Sequence, residues 1–264
     1  MSGAGVSGAG VGGAGVGGAG VGDGRGAGRY TGVAAPGGPA AVRVLDDVVL
    51  RKLSVGPMDN AAYVLACRRS GARLLVDAAA EPDRLLDLAR AGVPGDPDGD
   101  LALVVTTHRH RDHLGALAAV LDATGAPHAA GADDAEAVAA DAGTPPPRPL
   151  AHGDVVEVGA LRLEVVALRG HTPGAVALAY REPGDASAPG AVPGRVHLLT
   201  GDSLFPGGPG RTTTPAAFAS LMADLEDRVF GRFGDDTWVY PGHGRDTTLG
   251  AERPHLDEWR ARGW

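Results

Sequence analysis

Apolar and polar positions divide the chain beyond Ala41 into two similar stretches. In the first, Val42-Arg43-Val44-Leu45 and Val48-Val49-Leu50-Arg51-Lys52-Leu53 read as strands joined at Asp46-Asp47. A Gly56-Pro57 turn leads to a strand over residues 60–65, and a Ser70-Gly71 turn to another over residues 73–77. Aliphatic runs punctuated in this way predict consecutive antiparallel strands. From Glu81 to Ala91 the period changes: Leu85, Leu86, Leu88 and Ala89 recur at helical spacing, with Pro82 in the first turn. A Pro/Gly/Asp loop from Gly92 to Gly99 precedes Leu101-Ala102-Leu103-Val104-Val105-Thr106, which reads as a buried strand. A helix over 114–124, a short strand over 127–130 and a helix over 132–141 follow, ended by Pro145-Pro146-Pro147.

The second stretch repeats the plan. Strands are expected over 155–158, 161–168, 175–180 and 196–199, with the Gly/Pro-rich segment 183–194 as a surface loop. Residues 215–230 read as a helix with Phe218, Leu221, Met222, Leu225 and Val229 on one face, followed by a strand over 237–240 and a last helix over 250–259. Strands then α/β, twice over, predict an αβ/βα sandwich.

Residues 2–21 lie outside this pattern, being four copies of (Ser/Gly)-Gly-Ala-Gly-Val. So much glycine loses a great deal of entropy on ordering and has little side chain to bury. The expectation is a flexible tail over residues 1–40 and one folded domain over 41–264. A hydrophobic fraction of 44% supports a sizeable core, built from Val, Leu and Ala because aromatics make up only 4%. A net charge of −8 without a basic run argues against a nucleic-acid or membrane-surface partner, since phosphates need a positive stripe. A lone cysteine, Cys67 in an apolar run, permits no intrachain disulfide and reads as a buried structural thiol. With no apolar run of about 20 residues and no basic-then-hydrophobic N-terminus, the expected location is the cytoplasm.

The chemistry concentrates after the strand 101–106, in His108-Arg109-His110-Arg111-Asp112-His113. Three imidazoles and a carboxylate at the end of a core strand would each need a partner, and several close cations would repel one another. Metal ligation removes both problems, because the ligand forms are neutral imidazole and ionised carboxylate; a solvated His-rich loop is the alternative. Three more strands run into glycine turns carrying a ligand-type side chain: His171 in Gly170-His171-Thr172-Pro173-Gly174, Asp202 in Thr200-Gly201-Asp202-Ser203, and His243 in Pro241-Gly242-His243-Gly244. Together the four motifs supply five His and two Asp, enough for two divalent ions. His128, His152, His197 and His255 lack this context and are expected to be structural or solvated.

HRHRDH, GHTPG, TGDSLF and PGHG, in this order, resemble the motifs of the metallo-β-lactamase superfamily, and above all its short glyoxalase II-like hydrolases, over roughly Val48 to Trp259. The resemblance implies the four-layer sandwich of that family. It also implies that His108, His110 and His171 hold one metal, that Asp112, His113 and His243 hold a second, and that Asp202 bridges them. Zinc suits such nitrogen and carboxylate ligands, and iron or manganese is admitted. The implied reaction is cleavage of a thioester or related acyl substrate by a metal-bound hydroxide, with Asp112 orienting the nucleophile and handling its proton. Alternatives are a persulfide dioxygenase with one iron on His110 or His108, His171 and Asp202; a lactonase or β-lactamase; a nuclease; and a non-catalytic metal-binding module. Ala175 after GHTPG and Ala116 after Leu114-Gly115 depart from residues common in the family. The chain ends about twenty residues after His243, so the helical domain with which full-length glyoxalase II proteins bind glutathione is expected to be missing. Arg211 is one candidate anion contact.

Overall fold

The computed structural model describes Met1, residues 30–92 and residues 96–263. Its first sheet has the order β1-β2-β3-β4-β5-β6-β7, formed by Ala41–Val44, Val48–Val55, Asn60–Cys67, Arg73–Val76, Leu101–Thr106, His128–Gly131 and Arg148–Leu150. Pairing is antiparallel from β1 to β4 and parallel from β4 to β7. The change of sense follows from the chain: hairpin turns join β1 to β4, whereas helices α1 (Pro82–Arg90), α2 (Leu117–Thr124) and α3 (Ala135–Ala142) lie in the crossovers.

Strands β8 (Val155–Val158), β9 (Leu161–Ala167), β10 (Val176–Arg181) and β11 (Val196–Gly201) continue antiparallel into the second sheet. A small hairpin of β12 (Leu204–Phe205) and β13 (Gly208–Pro209) and then α4 (Pro215–Leu225) intervene before β14 (Trp238–Pro241), which pairs parallel with β11. β15 (Thr247–Thr248) closes the edge, and α5 (Leu249–Glu252) and α6 (Leu256–Arg262) end the described chain.

Alternation along the strands sorts their side chains into layers. In β5, Leu103 and Val105 join the core between the two sheets, with Leu50, Leu65, Leu163 and Leu178, while Val104 faces the other way. A strand covered on both faces reads as an unbroken apolar run, which is why β5 was legible. Leu85, Leu117 and Val138 cover the outer face of the first sheet, and Leu221, Leu225 and Trp259 that of the second. The architecture is the expected four-layer αβ/βα sandwich.

Leu117 opens α2 and is fully buried among Val104, Leu75 and Leu85. Leu117→Ala is expected to lower unfolding free energy by about 2–5 kcal/mol, as read by urea denaturation. A loss below about 1 kcal/mol would mean that this face of α2 is not closely packed.

Some local expectations are corrected. The helix expected over 114–124 begins at Leu117, because Arg111–His113 forms a separate 3₁₀ turn that aims ligand-type side chains. β7, β12, β13 and β15 were not foreseen; each is two or three residues long, too short for alternation to register. Most of the expected tail, residues 2–29, lies outside the described residues. From Tyr30 the chain packs on the body: the Tyr30 hydroxyl donates to Asp246 at 2.8 Å and its ring lies edge-on to Trp238.

Candidate metal centre

The ends of both sheets bring the seven candidate side chains together. β5 stops at Thr106, Thr107 and His108 remain buried, and His110 is extended before the 3₁₀ turn redirects Asp112 and His113. His171 follows β9, Asp202 follows β11 and His243 follows β14. Three sets of ligand atoms each lie within 4.8 Å of one another: His108, His110 and His171; His108, His113 and Asp202; and Asp112, His113 and His243. Asp202 joins the groups. Its Oδ2 is 3.6 Å from His171 Nε2 and 3.4 Å from His243 Nε2, and its Oδ1 is 3.4 Å from His113 Nε2.

Outer partners determine which ring nitrogen faces inward. A carbonyl or carboxylate oxygen only accepts, so Nδ1 is the protonated nitrogen in three rings. His171 Nδ1 donates to the Arg211 carbonyl at 2.7 Å, His243 Nδ1 to the Met58 carbonyl at 2.9 Å, and His113 Nδ1 to Asp77 Oδ2 at 2.9 Å. In the fourth, the Thr107 hydroxyl gives its proton to Asp77 and so accepts from His108 Nδ1 at 3.0 Å. Each ring is left with a bare Nε2 lone pair toward the centre. That is the tautomer a metal ligand requires.

The centre therefore calls for a cation. Nε2 of His108, Nε2 of His171 and Oδ1 of Asp202 are buried without a hydrogen-bond partner. His113 Nε2 and His243 Nε2 face each other at 3.2 Å, where two lone pairs repel unless a proton or metal ion lies between them. Burial opposes the charged form of His113, but the carboxylates of Asp77 and Asp202 outweigh it and raise its pKa to about 10. Asp202 is likewise buried, yet His113 and His243 hold its carboxyl far below the usual carboxylate range. His108 goes the other way, pushed well below the usual imidazole value by burial and by His113. His110 is lowered by burial and by His171. The donor set fits divalent metal ions in two adjacent groups.

Three further carboxylate and amide side chains hold this arrangement, and none was singled out in the sequence. Asp77, at the end of β4, accepts from Thr107 N at 2.7 Å as well as from the Thr107 hydroxyl and His113. It does so from a left-handed backbone conformation, φ 59°, unfavourable for a residue with a Cβ, which marks a site whose surroundings impose the geometry. Asp134 accepts from Arg109 N, the Thr172 hydroxyl and Gly174 N, tying the HRHRDH loop to the GHTPG turn. Asn60 donates to Asp112 Oδ2 at 2.9 Å. An acid ending an apolar strand, as in Leu74-Leu75-Val76-Asp77, was the available signal. At Gly242 a Cβ would collide with Asp202 Oδ1 and the His113 ring, so only glycine lets this turn close on the site. The other histidines stand apart: His197 is buried between Tyr240 and Glu182, His128 bonds the Pro145 carbonyl, and His152 and His255 are exposed.

Known proteins resemble the chain in sequence and in fold. A hydroxyacylglutathione hydrolase of Polaromonas sp. (strain JS666 / ATCC BAA-500) is 33% identical over 189 residues, covering 70% of this chain and 62% of its own. The chain thus spans a little under two thirds of that relative. ETHE1 from Myxococcus xanthus superposes with a TM-score of 0.62 at 26% identity, over 78% of this chain and 82% of that one. TTHA1623 in a di-iron-bound form gives 0.54 at 31% identity, over 76% and 96%. The sequence model described as the metallo-beta-lactamase superfamily matches residues 55–249. On this match and this fold, the chain belongs to the metallo-beta-lactamase superfamily.

Proposed function

We propose that the protein is a two-metal hydrolase that cleaves a thioester or related acyl compound of small-molecule size. His108, His110 and His171 would hold one ion, Asp112, His113 and His243 the other, with Asp202 between them. The observation that carries this reading is the set of four inward-facing Nε2 atoms fixed by outer hydrogen bonds, of which those of His108 and His171 are buried without a partner. Bound divalent ions supply Lewis acidity and make a water nucleophilic near neutral pH. The residues do the rest. Asp112 is partly open to solvent, its side chain 27% exposed, and Asn60 fixes its Oδ2. It orients the attacking water and accepts its proton; the water oxygen bonds to the acyl carbon, the C–S bond breaks, and the thiol leaves with a proton. Likeness to the Polaromonas hydroxyacylglutathione hydrolase supports the acyl-thioester class, and likeness to a di-iron protein supports two ions, with zinc, iron or manganese as the metal. No described helix is long and apolar enough to cross a membrane.

Metal analysis of the purified protein, paired with thioester-hydrolysis and persulfide-dependent oxygen-uptake assays, tests the proposal. Two ions per chain and thioester turnover are expected. One iron with oxygen consumption would replace it with the dioxygenase reading. His110 is exposed and makes no side-chain hydrogen bond among the described residues, so His110→Ala should abolish turnover with unchanged thermal unfolding of the metal-free protein. Wild-type turnover by that variant would remove His110 from the site.

A further inference from the structure

Lys52 is the chain's only lysine, and it lies in β2, where every residue is buried. An ammonium there is costly unless each of its three protons is used. All three are: Lys52 Nζ donates to the Gly32 carbonyl at 3.1 Å, the Gly244 carbonyl at 2.6 Å and Asp246 Oδ1 at 2.5 Å. No proton remains for a substrate, so the group is not a general acid. What it grips is the loop around His243.

That loop follows a strand of the second sheet but is held by the first. Tyr63 Oη donates to the Pro241 carbonyl at 2.6 Å, Ala61 N to the Gly242 carbonyl at 2.7 Å, and Lys52 to the Gly244 carbonyl just beyond His243. Asp246 completes the grip, its Oδ2 accepting from Tyr30 Oη and Trp238 Nε1, each at 2.8 Å. Gly32 adopts φ +76°, and a Cβ there would stand 2.7 Å from Asp246 Cβ, so the N-terminal segment closes tightly over the pair. None of these bonds involves His108, His110 or His171; His108 rests on Thr107 and His171 on the Arg211 carbonyl.

We infer that Lys52, paired with Asp246 and closed over by Tyr30, is a positioning residue for His243 and through it for the ion of the Asp112–His113–His243 group alone. This rests on the two-ion reading above. Loss of an outer support of a metal ligand weakens affinity roughly 10–100-fold. Lys52→Met in the full chain, stripped with chelator and titrated with zinc by calorimetry, should therefore bind one ion as the wild type does and the other in that range more weakly. Glu182→Gln is the control: Glu182 is equally buried and paired with Arg195, yet bonds none of the seven ligands, so it should lower stability and leave both zinc affinities unchanged. Should Lys52→Met fail to fold, Tyr30→Phe removes one bond to Asp246 from a half-buried residue and should weaken the same ion by a smaller factor. Two zinc ions at wild-type affinity in the folded variant would overturn the inference, and so would parallel weakening of both. A wild type that takes a single ion would overturn the two-ion reading and the inference with it.

Discussion

Asp202→Ala is expected to empty both ion positions and abolish turnover while the fold survives. Asp202 has its Oδ2 within 4.0 Å of His108, His171 and His243 and its Oδ1 near His113, so among the described residues it is the one carboxylate within that distance of both groups. Every other candidate ligand serves one group or contributes a neutral ring. Removing Asp202 leaves the first group with three neutral imidazoles and no carboxylate, and the second with Asp112 alone. The effect should exceed the roughly 10–100-fold that loss of an outer partner brings. Metal content should fall below one ion per chain, with the far-ultraviolet circular dichroism of the wild type. Wild-type metal content would show that Asp202 is not a ligand.

Asp77→Asn makes a sharper test because it hardly changes shape. Asp77 uses acceptors only, Oδ1 toward Thr107 N and Oδ2 toward the Thr107 hydroxyl and His113 Nδ1. Asparagine must place an NH₂ on one side. Facing His113, it would force that ring to accept at Nδ1 and carry its proton on Nε2, toward the metal. A wrong tautomer at a catalytic histidine lowers kcat by about 10⁴ where its orienting aspartate becomes asparagine. Facing Thr107 N, it would meet that N–H donor head-on and leave a buried donor unsatisfied, at about 1–3 kcal/mol. Nitrogen-15 spectra of His113 in the metal-free variant would show whether the Nε2 proton appears, and metal affinity should fall in step. Unchanged ring protonation with unchanged stability would refute this account of Asp77.

Residues whose chemistry is local were legible, and residues whose partners are remote were not. The candidate ligands stood out because His and Asp beside glycine turns at strand ends are unusual side chains for such positions. β3 to β5 were legible because burial on both faces leaves largely apolar runs. Asp77, Asp134 and Lys52 passed as ordinary charges: their partners lie 30, 38 and 194 residues away in the bonds to Thr107, Thr172 and Asp246. A lysine inside Val48–Val55 was nevertheless a signal, since an unpaired ammonium could not stay in such a strand. Tyr30 was not legible for the same reason, its hydroxyl bonding Asp246, 216 residues further along the chain.

The division of ligands between the sheets has a consequence for how the molecule comes apart. Four of the candidate ligands follow β5 in the first sheet, and the other three follow β9, β11 and β14 in the second. Neither half can assemble a full set. An ion that binds only the joined state opposes separation of the halves by RT ln(1 + [L]/Kd), about 4 kcal/mol when its free concentration is a thousand times Kd. On the two-ion reading, the same atoms that carry out the chemistry also fasten one half of the protein to the other, and the cell's metal supply becomes a term in its lifetime.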